Sequence, residues 1–213
     1  MENYCVPDRF IVHQTVENLS GQERDMSNWR LLHSCMRQIK LVDCRFNYFR
    51  ALDSQLKDMS FDQCLCKNGI YTHCLVEVLD VASSYFNDSH FVDCTFQDLT
   101  VELASFGMCV FDNCRLFGPR MSETAFIGSV WRDCVLSDCR FNFVRFPGSV
   151  FINTRFENCS LRKAIFRAAR FINCRFESCQ LPEAVFHNAN FSETVFRQTD
   201  INQAGNLDGV VGL

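Results

Sequence analysis

The sequence lacks the features that mark membrane proteins and the common enzyme classes. It has no run of about 18 apolar residues, so we expect no membrane-spanning helix. Its first residues carry no basic stretch followed by an apolar one, so we expect no secretory signal and a cytoplasmic protein. No P-loop, G-x-S-x-G or H-E-x-x-H motif is present. We therefore expect no enzyme activity, no catalytic residue and no cofactor.

Metal ligands in a suitable spacing are also lacking. Cys64 and Cys66 form a C-x-C pair, but no second pair lies near them in the sequence, and metal sites of this kind need two such pairs. The histidines are few, and we expect them to lie on different sides of the fold: His13, His33, His73, His90 and His187. We expect no metal site.

What the sequence does contain is a bulky apolar residue at every fifth position. The repeat is clearest between Cys134 and Phe196. The residues at its bulky position there are Leu136, Phe141, Phe146, Phe151, Phe156, Leu161, Phe166, Phe171, Phe176, Leu181, Phe186, Phe191 and Phe196. Two residues before most of them lies a small residue, such as Cys139, Cys159 or Ala169. This is an internal repeat, and it decides the fold.

A period of five fits neither a helix nor a straight strand. Five residues advance about 500° around an α-helix, so the apolar stripe would wind around its surface. On a strand, an odd spacing would send alternate repeats to opposite faces. The backbone must therefore turn a corner in every pentad. A chain that turns the same way at each corner forms a coil, and its central residues fill the axis.

The cysteines indicate how many sides the coil has. Stacked positions in successive turns tend to share a size, and six cysteine pairs at the small position are twenty residues apart: Cys44/Cys64, Cys74/Cys94, Cys94/Cys114, Cys114/Cys134, Cys139/Cys159 and Cys159/Cys179. Only two such pairs are fifteen residues apart and three are twenty-five apart. Four pentads per turn are therefore favoured.

This pattern resembles the pentapeptide-repeat family, whose repeat is roughly A(D/N)LXX. The chain has it in a Cys/Phe-rich form, for example Ala169-Arg170-Phe171 and Cys174-Arg175-Phe176. The register holds from Phe46 to Ile201 over 32 pentads, (201 − 46)/5 + 1, with Phe or Leu at 23 central positions. The resemblance implies an all-β fold, a right-handed quadrilateral parallel β-helix, of about eight coils of four pentapeptides.

The repeat also divides the chain. Residues 1–25 repeat poorly, and we expect them to form an N-terminal cap over the open end of the coil. We expect residues 26–203 to form the β-helix, with a local break at Phe117–Arg120, and residues 204–213 to form a short C-terminal tail. Within the coil we expect one interior column of stacked rings: Phe46, Phe86, Phe106, Phe126, Phe146, Phe166 and Phe186.

The fourteen cysteines have a structural explanation in this fold. Eleven of them occupy the small inward position of a pentad. A buried cysteine packs like a small apolar residue, and thiols stay reduced in the cytosol. We therefore expect buried thiols and no disulfide framework.

Charge is distributed unevenly along the chain. Residues 68–114 contain no Lys or Arg and carry a net charge of −7, from an acidic band made up of Glu77, Asp80, Asp88, Asp93, Asp98, Glu102 and Asp112. Residues 115–175 contain 11 basic and 4 acidic residues, a net charge of +7. A rod with regularly spaced negative charges resembles a DNA duplex in its charge, and could therefore bind in a basic groove. We expect the acidic band to bind a partner.

The family resemblance implies a function of this kind. Cys/Phe-rich, single-domain members of this size include the fluoroquinolone-resistance, microcin-immunity and albicidin-resistance proteins, and some of them imitate DNA. The resemblance implies a non-enzymatic binding protein that protects DNA gyrase or another type II topoisomerase by DNA-like shape and charge, and so confers antibiotic resistance. Its partner would be a protein, with no direct contact to nucleic acid and none to a membrane.

A second function class stays open at this point. The chain could be a protein–protein interaction scaffold or effector-like module with a partner other than topoisomerase. With four pentads per turn, an outward apolar stripe would serve this purpose: Val110, Val130, Val150, Ile152 and Ile172. The same stripe could join two copies in a homodimer, and the acidic half of one rod could pair antiparallel with the basic half of another.

Overall fold

The computed structural model describes residues 9–213, which form a continuous coil of short parallel strands. The strands are β1 (Phe10–Val12), β2 (Thr15–Glu17), β3 (Ser20–Gln22), β4 (Arg30–Leu32), β5 (Cys35–Val42), β6 (Arg50–Leu52), β7 (Gln55–Asp62), β8 (Ile70–Thr72), β9 (Leu75–Ala82), β10 (His90–Val92), β11 (Thr95–Glu102), β12 (Val110–Asp112), β13 (Arg115–Phe117), β14 (Arg120–Ser122), β15 (Val130–Arg132), β16 (Val135–Ser137), β17 (Arg140–Asn142), β18 (Val150–Ile152), β19 (Arg155–Glu157), β20 (Arg170–Ile172), β21 (Arg175–Glu177), β22 (Asn190–Ser192) and β23 (Val195–Arg197). A single 3-10 turn spans Ile201–Gln203, and the described residues contain no α-helix.

Each strand pairs in parallel with the strand that lies one turn further along the chain. The pairing is twenty residues apart throughout, as in Ile11↔Leu31 and Phe151↔Phe171. Four pentads therefore make one turn, and the coil is a four-sided parallel β-helix of about nine turns. The all-β solenoid expected from the repeat is confirmed.

The four sides can be named by their central residues. The first side is the ten-stranded sheet β1-β4-β6-β8-β10-β12-β15-β18-β20-β22, centred on Ile11, Leu31 and their successors. The second and third sides are the two halves of the thirteen-stranded sheet, which the eight-residue strands β5, β7, β9 and β11 cross without a break. The fourth side, centred on Phe46 and its successors, is held by isolated bridges such as Ala125↔Arg145.

The corners depend on residues that accept a left-handed backbone. One residue in nearly every pentad has a positive φ between 46° and 65°, as at Asp53, Asn68 and Asp133. Asn, Asp and His enter this region more readily than other side chains do, and β-branched residues are the least suited to it. This preference explains why the pentads carry so many Asn and Asp residues two positions after the central one. Val78, with φ 52°, is an exception to it.

The core is a set of stacked columns. The predicted phenylalanine column is confirmed on the fourth side, where successive ring centroids from Phe86 to Phe186 lie 5.0–5.1 Å apart and all seven side chains are buried. Parallel stacking at one strand spacing is what the 4.8 Å rise of a sheet imposes on identical side chains.

The column has one gap, and a ring from the small position fills it. Cys66 stands where a phenylalanine is expected, and Ala51 is the small central residue of a neighbouring pentad. Phe49, at the small position before Ala51, is fully buried and stacks on Phe46 at 4.3 Å. A large residue at the small site thus compensates for a small residue at the large site, which keeps the interior filled.

Compensation is less complete in the middle of the coil. An apolar cavity of about 50 Å³ runs along the axis there, and its lining includes Val76, Leu79, Val101 and Met121. Most other central residues are Phe or Leu, so the valines leave this space empty. The middle turns are therefore packed less tightly than the turns that follow Trp131.

The coil is longer than the sequence repeat alone indicates. Residues 1–8 lie outside the described residues, but the rest of the expected cap, residues 9–25, forms strands β1–β3, which pair in register with the next turn. At the other end, the expected tail pairs through Val185↔Asn206 and Asn190↔Val211. These pairs are twenty-one residues apart, so the last turn holds one extra residue, near the 3-10 turn.

The expected break at Phe117–Arg120 is wrong. Phe117 pairs with Ser137 and Arg120 pairs with Arg140, so the register continues through this segment. What changes is the length of the strands. Pro119 has no N–H to donate to the sheet, and from this turn onward the eight-residue strands of the preceding turns give way to separate three-residue strands.

Candidate binding surfaces

The acidic band separates into three groups on the folded chain. Asp88 and Asp93 lie at the two corners that border the first side, and Asp112 lies on that side, where its carboxylate accepts from Arg132 at 2.9 Å. The other four residues lie together on the second and third sides. A spacing of five residues moves a side chain to the next corner, so the band cannot act as one surface.

The four residues that lie together are carried by two adjacent strands. Glu77 and Asp80 belong to β9, and Asp98 and Glu102 belong to β11, which pairs with β9 along its whole length. The neighbouring strand β7 adds two carboxylates that the sequence analysis did not single out. We call the six residues the acid patch: Asp58, Asp62, Glu77, Asp80, Asp98 and Glu102.

The acid patch is exposed and nearly free of cations. Four of its members are exposed and the other two are half-buried. The one ion pair recorded within the described chain for these six residues joins Lys57 Nζ and Glu77 Oε2 at 3.7 Å. Exposed pairs at such distances contribute little. The patch therefore presents an almost uncompensated negative surface across three successive turns, about 14 Å at the usual strand spacing.

The same two sides become basic further along the coil. Arg120 pairs with Arg140 on the third side, and Arg155 pairs with Arg175 on the second. These four guanidinium groups form no ion pair with any of the residues described. Glu157 and Glu177, which pair with each other on the same two strands as Arg155 and Arg175, are the nearby acidic residues. The charge contrast predicted from the sequence is thus a feature of one continuous surface.

The predicted apolar stripe is assembled on the first side. Val110, Val130 and Val150 are consecutive partners in one column, and Ile152 pairs with Ile172 in the other. All five side chains are half-buried, because each is flanked by its neighbours in the column but faces outward. The outward positions of this side also hold Leu52, Ile70 and Val92. Side chains of this kind suit a flat sheet surface and also suit a contact with another protein.

A polar ladder follows the corner between the first and second sides, and the sequence analysis missed it. Three histidines share this corner, so the expectation that the histidines lie on different sides is wrong. The ladder consists of His13, His33, Asp53, His73, Asp93, Asn113, Asp133, Asn153, Asn173 and Glu193. Each member lies twenty residues after the one before it, and this spacing of polar residues is the sequence signal that could have revealed the ladder.

Contacts within the ladder link one turn to the next. His73 lies between two carboxylates, with Nδ1 3.0 Å from Asp53 Oδ1 and Nε2 3.3 Å from Asp93 Oδ2. His13 and His33 stack with ring centroids 5.1 Å apart. Asp93 is therefore engaged within the chain, which is a second reason for separating it from the acid patch.

The cysteines are packing residues that also donate hydrogen bonds. Twelve of the thirteen described cysteines are buried, and all thirteen are free thiols. The Cys74 thiol donates to the carbonyl of Thr72 at 3.3 Å, as Ser54 Oγ does to Leu52 at 2.7 Å in the same column. Burial raises the pKa of Cys109 to about 12 and the pKa of Cys64 and Cys174 to about 11. These thiols are inert at neutral pH.

Within residues 9–213, neither a metal site nor a membrane helix is found. No group of three His, Cys, Asp or Glu side chains in this part of the chain could hold a metal ion. No helix in it is long and apolar enough to cross a membrane.

Known proteins with the same architecture were found by structure and not by overall sequence. HetL of Nostoc sp. strain PCC 7120, a pentapeptide-repeat protein involved in heterocyst differentiation regulation, has a TM-score of 0.87 and 12% identity, covering 97% of this chain and 94% of that one. Full-length QnrB1, a plasmid-mediated fluoroquinolone resistance protein, has a TM-score of 0.61 and 13% identity, covering 93% of each chain. No curated protein matches the sequence significantly.

One family model matches part of the chain. It describes the SV2A/B/C luminal domain and covers residues 138–211, less than half of the sequence. This segment includes the most regular pentads of the chain. The match to the family model and the five-residue periodicity therefore depend on the same residues. The five-residue repeat, the four-sided coil and the superposition on HetL together show that this chain has the β-helix fold of pentapeptide-repeat proteins.

Proposed function

We propose that this protein is a non-enzymatic binding protein whose acid patch occupies a basic, DNA-binding groove of a protein partner, with type II topoisomerase as the specific candidate. Occupying the groove would compete with DNA and so protect the enzyme from inhibitors that act on its DNA complex. The observation that carries the proposal is the acid patch itself, six carboxylates on three adjacent strands with one weak ion pair among them.

The shape of the patch supports a groove as its binding site. The second and third sides are one continuous sheet at this level, so the patch lies on a rigid surface with a fixed spacing between its charges. Rigid positioning lowers the entropic cost of association. A duplex presents one phosphate per 3.4 Å along each strand, and the patch repeats at about 4.8 Å, a similar linear density of charge.

The fold similarity to QnrB1 supports the same candidate. That protein is a fluoroquinolone resistance protein, and its chain superposes on this one over 93% of its length. The identity of 13% carries the fold and not the function.

The experiment is retention of purified DNA gyrase by the immobilised protein, followed by a supercoiling assay in the presence of a fluoroquinolone. A triple variant, Asp80→Asn, Asp98→Asn and Glu102→Gln, removes three charges from the acid patch. We expect it to lose retention and protection while keeping its fold, since exposed substitutions usually change stability by less than about 0.5 kcal/mol each.

A matched control removes the same charge elsewhere. The variant Asp88→Asn, Asp93→Asn and Asp133→Asn neutralises three corner residues that border the first side, where asparagine is equally suited to a positive φ. Retention should persist in this control and should weaken with salt, because a Debye length of about 10 Å at 0.1 M screens exposed charges. Equal loss in both variants would refute the assignment of the patch. No retention of wild-type protein at low salt would refute topoisomerase as the partner.

The apolar first side supports the alternative, a scaffold or effector-like module with a partner that is not a topoisomerase. Its half-buried valines and isoleucines form a flat surface that is separate from the acid patch. If this surface binds the partner, neutralising the acid patch leaves binding intact, and Val150→Asp abolishes it at any salt concentration.

A further inference from the structure

The apolar first side has a particular distribution of charge. Its outward positions from β8 to β20 are mostly aliphatic, and a single acidic residue lies among them, Asp112. That carboxylate is paired with Arg132 on the next strand, with Nη1 and Oδ2 2.9 Å apart. The centre of the apolar surface is therefore occupied by one compact ion pair, between strands β12 and β15.

The charge of the whole rod changes sign at this same level. Residues 68–114 carry a net charge of −7 and residues 115–175 carry +7. Two rods placed side by side in the same direction would bring like charges together along their length. Two rods placed antiparallel, and centred between β12 and β15, would align the opposite long-range fields of their halves, while Asp112 and Arg132 are the opposite charges that lie on the contacting sides.

We propose that two copies of this chain pair antiparallel through their first sides. The two-fold axis lies in the contact plane, parallel to the strands and midway between β12 and β15. It places β12 opposite the partner's β15, β10 opposite its β18, and β8 opposite its β20. Outward residues then face each other column by column, Val110 against the partner's Val130 and Val92 against the partner's Ile152.

The central ion pair determines this register. Asp112 faces the partner's Arg132 across the axis, and Arg132 faces the partner's Asp112, so four charges of alternating sign meet at the middle of the contact. Aliphatic side chains surround them on the neighbouring strands, which lowers the local dielectric constant and strengthens their attraction. A shift by one turn would replace these pairs with contacts between like or unpaired charges.

The edge of the surface near the axis is open for such a contact. The corner between the fourth and first sides has glycine at residues 128 and 148 and alanine at residue 168. Met108, at the preceding turn of the same corner, is 64% exposed and leans over Gly128. An exposed methionine beside a flat glycine corner is an adaptable apolar contact for a second chain.

The size of the contact predicts a weak dimer. With β6 opposite the partner's β22, the contact includes eight turns, which extend about 38 Å at about 4.8 Å each, and a side of three to five residues is about 10–16 Å wide. Each copy then contributes about 400–600 Å², and the total of about 800–1,200 Å² is at the low end for specific complexes. We expect a dissociation constant in the micromolar range. The acid patch faces away from the first side and stays accessible in the dimer.

The test measures the mass of the full chain in solution by sedimentation velocity and light scattering over about 1–200 μM, the range expected for such an interface. The mass should rise from the monomer value of 24.7 kDa towards twice that value. Val130→Glu should raise the dissociation constant at least tenfold. The matched control is Val135→Glu, an equally half-buried outward valine on the second side, which should leave the constant unchanged.

A charge-exchange experiment tests the register itself. Asp112→Arg makes both central charges positive and Arg132→Asp makes both negative, so neither variant should pair with itself. An equimolar mixture of the two variants should dimerise, because every positive centre then meets a negative one. A monomer at all concentrations, equal effects of the two valine variants, or a mixture that stays monomeric while wild type dimerises would each overturn the proposal. Circular dichroism checks that each variant is folded.

Discussion

Replacing Phe146 by alanine removes a ring from the middle of the interior column. The ring is fully buried and stacks on Phe126 and Phe166, with both centroid distances 5.0 Å. Loss of a buried phenylalanine costs about 3–5 kcal/mol, since the transfer free energy is lost and a cavity remains. Neighbouring turns repeat every 4.8 Å and cannot collapse into the space, so we expect a value near the upper end of that range.

The assay is urea denaturation followed by circular dichroism, with Phe143→Asn as the control. Phe143 is three residues away, but it lies at a corner with φ 58° and is 49% exposed. Asparagine suits that backbone, so the control should keep or slightly raise the free energy of unfolding. A loss of less than about 1 kcal/mol for Phe146→Ala would show that the ring is not packed in a continuous column, and the register would be refuted.

Three further outcomes follow from the corners and the thiols. Val78→Asn should raise the melting temperature, because a β-branched residue at φ 52° is strained by about 1 kcal/mol or more, and an unchanged or lower value would contradict this. In a Cys5→Ser background, a thiol reagent should modify Cys35 alone in the native protein, since it is the one described cysteine that is not buried; rapid reaction of several thiols would contradict the packing. The contribution of the buried thiols to stability should be constant below about pH 8 and should fall as pH rises from 9.0 towards 11, because thiols then ionise in the unfolded chain while Cys64 and Cys109 stay neutral in the fold. A Cys109→Ala variant should show a weaker dependence of stability on pH in this range.

The fold could be predicted because the interior has one strong rule. Each pentad turns one corner, so a bulky residue at every fifth position is sufficient to identify the coil, and the twenty-residue cysteine spacing identifies its four sides. The repeat is less informative where pairing does not need a bulky residue. Residues 9–25 carry Gly21 at a central position, yet they pair in register because the backbone of the next turn supplies the hydrogen bonds.

The surfaces were less predictable from the sequence. Residues that lie next to each other on one side of the coil are twenty residues apart, whereas the sequence repeat is five residues long. Asp88, Asp93 and Asp98 are five residues apart in sequence and lie on three different corners. Asp58 and Asp98 are forty residues apart and lie on the same corner, two turns from each other. Reading the charged residues at a spacing of twenty would have identified both the acid patch and the histidine–aspartate ladder.

The most direct test of the proposed function is displacement of DNA from gyrase. A fluorescent duplex bound to the enzyme is titrated with wild-type protein, with the acid-patch variant, and with the corner-residue control, and fluorescence anisotropy is followed. Because the acid patch and the duplex would share one basic groove, we predict that wild-type protein and the control release the duplex, that the acid-patch variant does not, and that release weakens as salt is raised. Binding of the wild-type protein without release of the duplex, or release that does not depend on the acid patch, would contradict the proposal.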